Sequence, residues 1–269
     1  MAISYLTYQQ IDKIKWDACI DKAPNGLLYG YSFYLDCMAK NWDALVLNDY
    51  EAVMPLTWNK KYGIHYLYQP PFTACLGVFG NELSAETVNE FLNSVPVKFS
   101  YWDIYLNHGN FFKLAGFTLY ERMNYVLPLN KSYEHLYSNY RENIQRNIKK
   151  AEQFGLSINK GIAVAEVTAL AKQQAREFAN LPAEDFKRFE SLYQLLYQKE
   201  KATTYAVITK ERQLLAAAVF FFSHRRAYYI MVGNHPNGKT LGASHALINA
   251  FIKDHAGQDL LLDFEGSDI

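Results

Sequence analysis

Cysteine is scarce in this 269-residue chain: Cys19, Cys37 and Cys75 sit among apolar neighbours and lack metal-ligand spacing. They read as reduced thiols, which excludes a disulfide framework and a zinc ribbon. Long apolar runs are missing too. The longest, residues 214–222, is about half of a bilayer span, and the start MAISYLTYQQ has no basic segment followed by an apolar core. No membrane span and a cytoplasmic location are therefore expected. Charge of one sign is absent as well, with 27 Lys and Arg against 27 Asp and Glu. Even by halves the bias is mild, 9 basic and 12 acidic residues up to Asn130, then 18 and 15. That excludes a strongly basic domain for broad nucleic-acid binding. No Ser, His and Asp arrangement stands out as a triad. What is abundant is aromatic: 21 Tyr and 17 Phe, side chains that bring large buried area and, for Tyr, a polar tip suited to clefts.

The chain declares itself between Arg226 and Ser267. Residues 227–232 are β-branched and aromatic, as a strand requires, and Gly233, Asn234, Pro236, Asn237 and Gly238 then point to a loop. From Ala243, the residues Leu247, Ala250 and Phe251 recur at helical spacing, and residues 260–262 read as a short buried strand ending in Asp263 and Glu265. A helix emerging from glycines offers free backbone N–H groups and a positive dipole end to a phosphate.

Two motifs overlap there. Gly233-Asn-His-Pro-Asn-Gly238-Lys239-Thr240 fits the Walker A pattern, the mark of a P-loop nucleotide-binding protein. Lys239-Thr-Leu-Gly242-Ala243-Ser244 resembles the pyrophosphate loop of GNAT acyltransferases, with Lys for the usual Gln or Arg and Ser for the last Gly or Ala. The same residues also serve as plain strand–turn–helix punctuation.

Element order arbitrates. A turn-rich patch at residues 128–132 suggests a boundary, giving domains 1–130 and 131–269. The first half reads β-α-α-β-β-β-α-β-α-β and the part from Gly155 reads β-α-α-β-β-β-α-β, a recurrence of element types. Between them lies one expected long helix, residues 133–154, with Leu136, Tyr140, Ile144, Ile148 and Ala151 in a stripe and Arg141, Arg146, Lys149 and Lys150 off it. Further helices are expected at 165–179 and 183–200. The first half also carries expected extended structure at 74–79, a short helix at 111–115 and a strand at 117–126. A P-loop domain needs a parallel sheet, which the hairpin of residues 204–222 does not supply.

With that order, the chain resembles the Fem-type aminoacyl and peptidyl transferases and their bacterial GNAT-like relatives. Three places carry the resemblance: Arg141 to Gly155, like the basic helix opening their second half; Gly242-Ala-Ser-His-Ala-Leu, like the start of their loop helix; and Asp263-Phe-Glu265-Gly266-Ser267, like their following strand. The resemblance implies an α+β (mixed α/β) fold of two tandem GNAT-like halves, mostly antiparallel sheets flanked by helices. It implies an N-acyltransferase or aminoacyltransferase moving an acyl group from a thioester or aminoacyl ester to an amine, in cell-envelope or peptidoglycan-type metabolism. Acyl-CoA or aminoacyl-tRNA is the implied donor, with no tightly bound cofactor. A small-molecule or peptide amine is the acceptor. The competing reading is a non-catalytic RNA- or peptide-binding module in which the basic helix grips phosphates.

Acyl transfer needs donor positioning, oxyanion stabilisation and removal of a proton from the amine. Lys239, Thr240, Gly242, Ala243 and Ser244 are the donor-binding candidates, and Arg141, Arg146 and Lys149 the substrate-binding ones. Glu265, expected on the same strand face as Asp263, is the favoured base; Tyr229 and His235 are further catalytic candidates, and His245 an alternative. No metal site is expected. By comparison with the first half, the second is expected to stop short and leave its last strand partly uncovered, unless the first half, a neighbouring subunit or the long basic helix closes it.

Overall fold

The computed structural model describes residues 2–175 and 182–266, and the chain divides into two units, Met1–Arg122 and Met123–Ile269. The first contains β1 (Ile3–Leu6), α1 (Lys13–Lys22), α2 (Ser32–Met38), β2 (Asn41–Leu47), β3 (Ala52–Lys61), β4 (Ile64–Tyr68), β5 (Phe79–Gly80), α3 (Ala85–Asn93) and β6 (Phe99–Asp103). Caps set the helix starts: Asp12 accepts from the amides of Ile14 and Lys15, and Ser84 from that of Thr87. The capping box at Thr7 and Gln10 opens only a 3-10 turn. The sheet runs β1-β2-β3-β4-β6, antiparallel except for the parallel β4–β6 pair, with β5 on β3. Val88, Phe91 and Leu92 of α3 pack on Leu45, Met54, Leu56 and Leu67.

Three expectations fail in this unit. Residues 74–79 are mostly irregular, because buried Asn25, Asn107 and Asn110 take the backbone groups of Leu76, Val78 and Gly80 that a longer strand would need. Neither a helix at 111–115 nor a strand at 117–125 forms.

The second unit holds β7 (Val126–Pro128), α4 (Tyr133–Ser138), α5 (Glu142–Gln153), β8 (Ser157–Lys160), α6 (Val164–Ala175), α7 (Ala183–Tyr197), β9 (Ala202–Ile208), β10 (Leu214–Ser223), β11 (Arg226–Asn234), α8 (Pro236–Leu241), α9 (Ala243–His255) and β12 (Leu261–Asp263). Its order is β7-β12-β11-β10-β9-β8, and only β11–β12 is parallel. Both sheets thus share a strand order with a parallel pair after the hairpins, in a mixed α/β protein. A continuous parallel sheet, which the P-loop reading requires, is absent from the described residues. The core is aromatic: Phe220 stacks on Phe251 with ring centroids 3.8 Å apart, beside Tyr205 and Leu247. Each such buried ring stabilises the fold by roughly 1.5–3 kcal/mol.

Two corrections belong here. The expected single helix at 133–154 is two helices, broken at residues 139–141. Arg141 leaves the helical region (φ −60, ψ 146), and the Gln145 amide donates to the carbonyls of Tyr137 and Tyr140 that an unbroken helix would have used. The outer edge of β12 is closed by β7, which pairs with it antiparallel, Val126 opposite Asp263, and which comes from the expected first half, one of the elements expected to be able to close it. That pairing takes residues 126–128 into the second unit, so the division falls between Arg122 and Met123 and the last strand is not left open. The part of the helix expected at 176–179, and Ser267, lie outside the described residues.

Candidate active site

β11 and β12 begin together and then part. Arg226, Ala227 and Tyr228 pair with Leu261, Leu262 and Asp263, and there the register ends. From Tyr229 to Asn234, β11 continues with β10 alone, and a bulge leaves Ile230 without a counterpart between the Val219–Met231 and Phe220–Tyr229 pairs. A bulge bends its strand and re-aims the residues beyond it. β12 meanwhile stays with β7, and the amide of Phe264 donates to the Tyr125 carbonyl. The result is a wedge with an unpaired β11 edge on one side.

The segment beyond β11 is not the expected glycine loop. His235 caps a short helix, α8, with its Nδ1 accepting from the Asn237 amide and Pro236 at the first position. Gly238 lies inside α8 because a Cβ there would stand 2.5 Å from the Leu215 carbonyl oxygen. With residues 236–241 helical, no loop of amides cradles a triphosphate, and the Walker A match is a coincidence of spelling. Gly242 then turns the chain in the left-handed conformation (φ 73, ψ 20) into α9.

The five donor-binding candidates meet at this α8–α9 junction. Lys239 and Thr240 are exposed on α8, and the Thr240 hydroxyl donates back to the Asn237 carbonyl. Gly242 is closed on one side by α5, since a Cβ on it would lie 2.3 Å from the Asn147 carbonyl oxygen. Ala243 is buried, and the Ser244 hydroxyl donates to Asn234 Oδ1 at 2.6 Å, fastening the start of α9 to the end of β11. Asn234 is held in turn, its amide donating to Gln174 Oε1 of α6 at 2.7 Å. The side chains are thus used to position the junction, and the start of α9, with no side-chain cap, carries the positive end of the helix dipole.

Tyr229 lines the α9 side of the sheet between Phe220 and Phe264, with ring centroids 5.2 and 6.1 Å away. Burial pushes its phenol well above the ordinary tyrosine range. Glu265 is half-buried beside the wedge but not on the strand: β12 ends at Asp263, and Glu265 sits in the left-handed region (φ 65) with its amide donating to Asp263 Oδ1. Asp263 itself is consumed by a buried ion pair with Arg226 at 2.5 Å and a hydrogen bond from Asn124. His235 is occupied as a cap. His245, whose pKa burial lowers, lies with Nδ1 3.5 Å from Asn147 Nδ2. Arg141, Arg146 and Lys149 are exposed, while Ile148 and Ala151 of the same helix are buried.

Sequence reasoning passed over Tyr140, which it placed in an apolar stripe. Its hydroxyl is buried without a hydrogen-bond partner against the same core cluster as Tyr229, and burial raises its pKa too. Asn147, Gln174 and Asn234 were also missed, because their roles arise from contacts between distant segments.

Residues 138–268 match the acetyltransferase (GNAT) domain family. Among solved structures, FemX shares the fold over 100% of this chain and 89% of its own, at a TM-score of 0.66 and 14% identity. L-PGS from Bacillus licheniformis matches over 94% and 75% of the two chains (TM-score 0.52, 12% identity). A conserved protein of unknown function from Bacteroides thetaiotaomicron matches over 98% and 90% (TM-score 0.55, 10% identity). No curated protein sequence matches significantly. Residues 138–268 thus match the GNAT domain, and the whole chain has a FemX-like fold.

Proposed function

We propose that the second unit transfers an aminoacyl group from an aminoacyl ester to an amine, with the donor lying along the open edge of β11 and its terminal charged groups at the start of α9. The observation that carries this is the parting of β11 and β12 after three pairs, beside a helix N-terminus. An extended donor added to the free strand edge would satisfy backbone groups that β12 abandons. A β11 amide facing the wedge would stabilise the oxyanion. Tyr229 would donate to the leaving oxygen, and Glu265 would take the proton of the attacking amine.

An aminoacyl-tRNA donor is favoured over acyl-CoA by two features. Gly242 is backed by Asn147, which narrows the room for a pyrophosphate at that turn. Arg141, Arg146, Lys149 and Lys150 are exposed on α5 and have no ion pair among the described residues, and such cations suit an RNA backbone. The acceptor is a small-molecule or peptide amine, in the cell-envelope setting that the Fem resemblance implies. The test is a mass-spectrometric transfer assay with alanyl-tRNA and with acetyl-CoA against a panel of amines. Transfer from alanyl-tRNA, reduced several-fold in Arg146→Ala with Lys149→Ala, supports the reading. Transfer from acetyl-CoA alone would keep the acyltransferase and overturn the donor. Magnesium-dependent ATP hydrolysis without transfer would overturn both.

A further inference from the structure

At the other end of the second sheet a cavity of about 720 Å³ opens between the last turn of α7, the start of β9, the end of β10 and the end of α9. It lies at the opposite end of the sheet from the start of α9: Phe222 in its wall pairs with Ala227 at the start of β11, before β11 and β12 part, and His255 is the last residue of α9. Tyr197, Glu200, Tyr205, Phe222, His255 and Gln258 give it its chemistry.

Three features point the same way. The Glu200 carboxylate has neither an ion pair nor a hydrogen bond among the described residues, and no Lys or Arg lines the cavity. The walls are aromatic: Tyr197 is 52% exposed, and Phe222 lies 5.7 Å from the His255 ring. Ring faces attract cations and do not attract anions. The cavity also receives the carbonyl end of α9, the negative end of a 13-residue helix.

The polar groups are arranged consistently. Gln258 Nε2 donates to the Asp254 carbonyl and Gln258 Oε1 faces His255 Nδ1 at 3.2 Å. The neighbouring carboxylate, Asp254, is already matched, accepting from Lys160 and from the Tyr205 hydroxyl at 2.6 Å each. Lys160 also covers the Tyr205 ring at 5.5 Å, while Tyr197 rests on Tyr193 and Phe222 and His255 rest on Phe251, so each of these three rings has at most one face left for a ligand.

We infer that this cavity is a binding site for an organic ammonium group, held between the Glu200 carboxylate and the aromatic walls and separate from the transfer site. The ammonium belongs either to a free small molecule or to a lysine side chain of a peptide. The inference does not depend on the transfer reaction.

The experiment is calorimetric titration of the full chain with choline, with Nα-acetyl-lysine N-methylamide, and with 3,3-dimethyl-1-butanol, the uncharged isostere of choline. Saturable binding of either cation and none of the alcohol is expected, and which cation binds identifies the source. Glu200→Gln and Tyr197→Ala should each weaken binding by about tenfold. Both positions are exposed, and unchanged circular dichroism melting will show that the variants fold. Glu200→Lys, which puts a cation into the cavity, should abolish binding. Absence of saturable binding by both cations, equal binding of the alcohol, or undiminished binding in Glu200→Gln would each overturn the inference.

Discussion

Replacing Gly242 by alanine tests whether the start of α9 is fixed against α5. Gly242 has φ 73, a conformation that costs an L-residue about 1–2 kcal/mol. The added Cβ would also lie 2.3 Å from the Asn147 carbonyl oxygen and 2.9 Å from its carbon. Those atoms are backbone, so α5 must shift, and overpacking of that kind costs about 1–3 kcal/mol. The sum is roughly 2–5 kcal/mol. Gly257→Ala is the matched control, because Gly257 has φ 83 with nothing within 4 Å of the added Cβ and should carry only the first cost. Urea unfolding followed by far-UV circular dichroism reads both units. Fluorescence reads the first alone, since Trp16, Trp42, Trp58 and Trp102 all lie in it. At a slope of about 1–3 kcal/mol per molar urea, Gly242→Ala should lower the dichroism midpoint by roughly 0.7–5 M. Equal midpoints for the two alanine variants would refute the reasoning, because Asn147 would then be yielding at no cost.

The buried ion pair between Arg226 and Asp263, with side chains 14% and 6% exposed, makes Arg226→Ala a loss of about 3–5 kcal/mol in the same assay. A loss below about 1 kcal/mol would show Asp263 adequately served by Asn124 and the Glu265 amide. Burial lowers the His245 pKa below its ordinary 6.5, so on acidification the unfolded chain takes up this proton first. Its contribution to stability is full above that value and is lost as the pH falls below it; His245→Asn should flatten the stability profile in that window. An unchanged acid slope would contradict this. Tyr229→Phe should lower kcat for transfer by about 10²-fold with little change in KM, as loss of a proton donor does. An unchanged kcat would remove Tyr229 from the chemistry.

Features encoded locally were legible in the sequence, and those made by contacts between distant segments were not. β9, β10 and β11 showed in apolar and β-branched runs, and α9 in the spacing of Leu247 and Phe251. The break between α4 and α5 was hidden: Leu136, Tyr140 and Ile144 keep helical spacing straight through it, and the Gln145 amide that compensates the break carries no periodicity. α8 was hidden by Gly238, a poor helix former tolerated because Leu215 approaches so closely. β7 took its place through pairing with β12, about 135 residues away, which no local pattern announces. The candidate site was legible as a location, the junction around Gly242. The work of His235, Thr240 and Ser244 was not, since hydrogen bonds turn these reactive-looking side chains into caps and fasteners.

The central claim is that the donor occupies the open edge of β11 and the start of α9. Hydrogen–deuterium exchange of the full chain, with and without saturating alanyl-tRNA and, separately, acetyl-CoA, tests it most directly. Protection confined to peptides covering residues 229–234 and 243–247 is expected with the true donor, while peptides from the end of α9 stay unchanged. Protection that spares both segments with either donor would contradict the account.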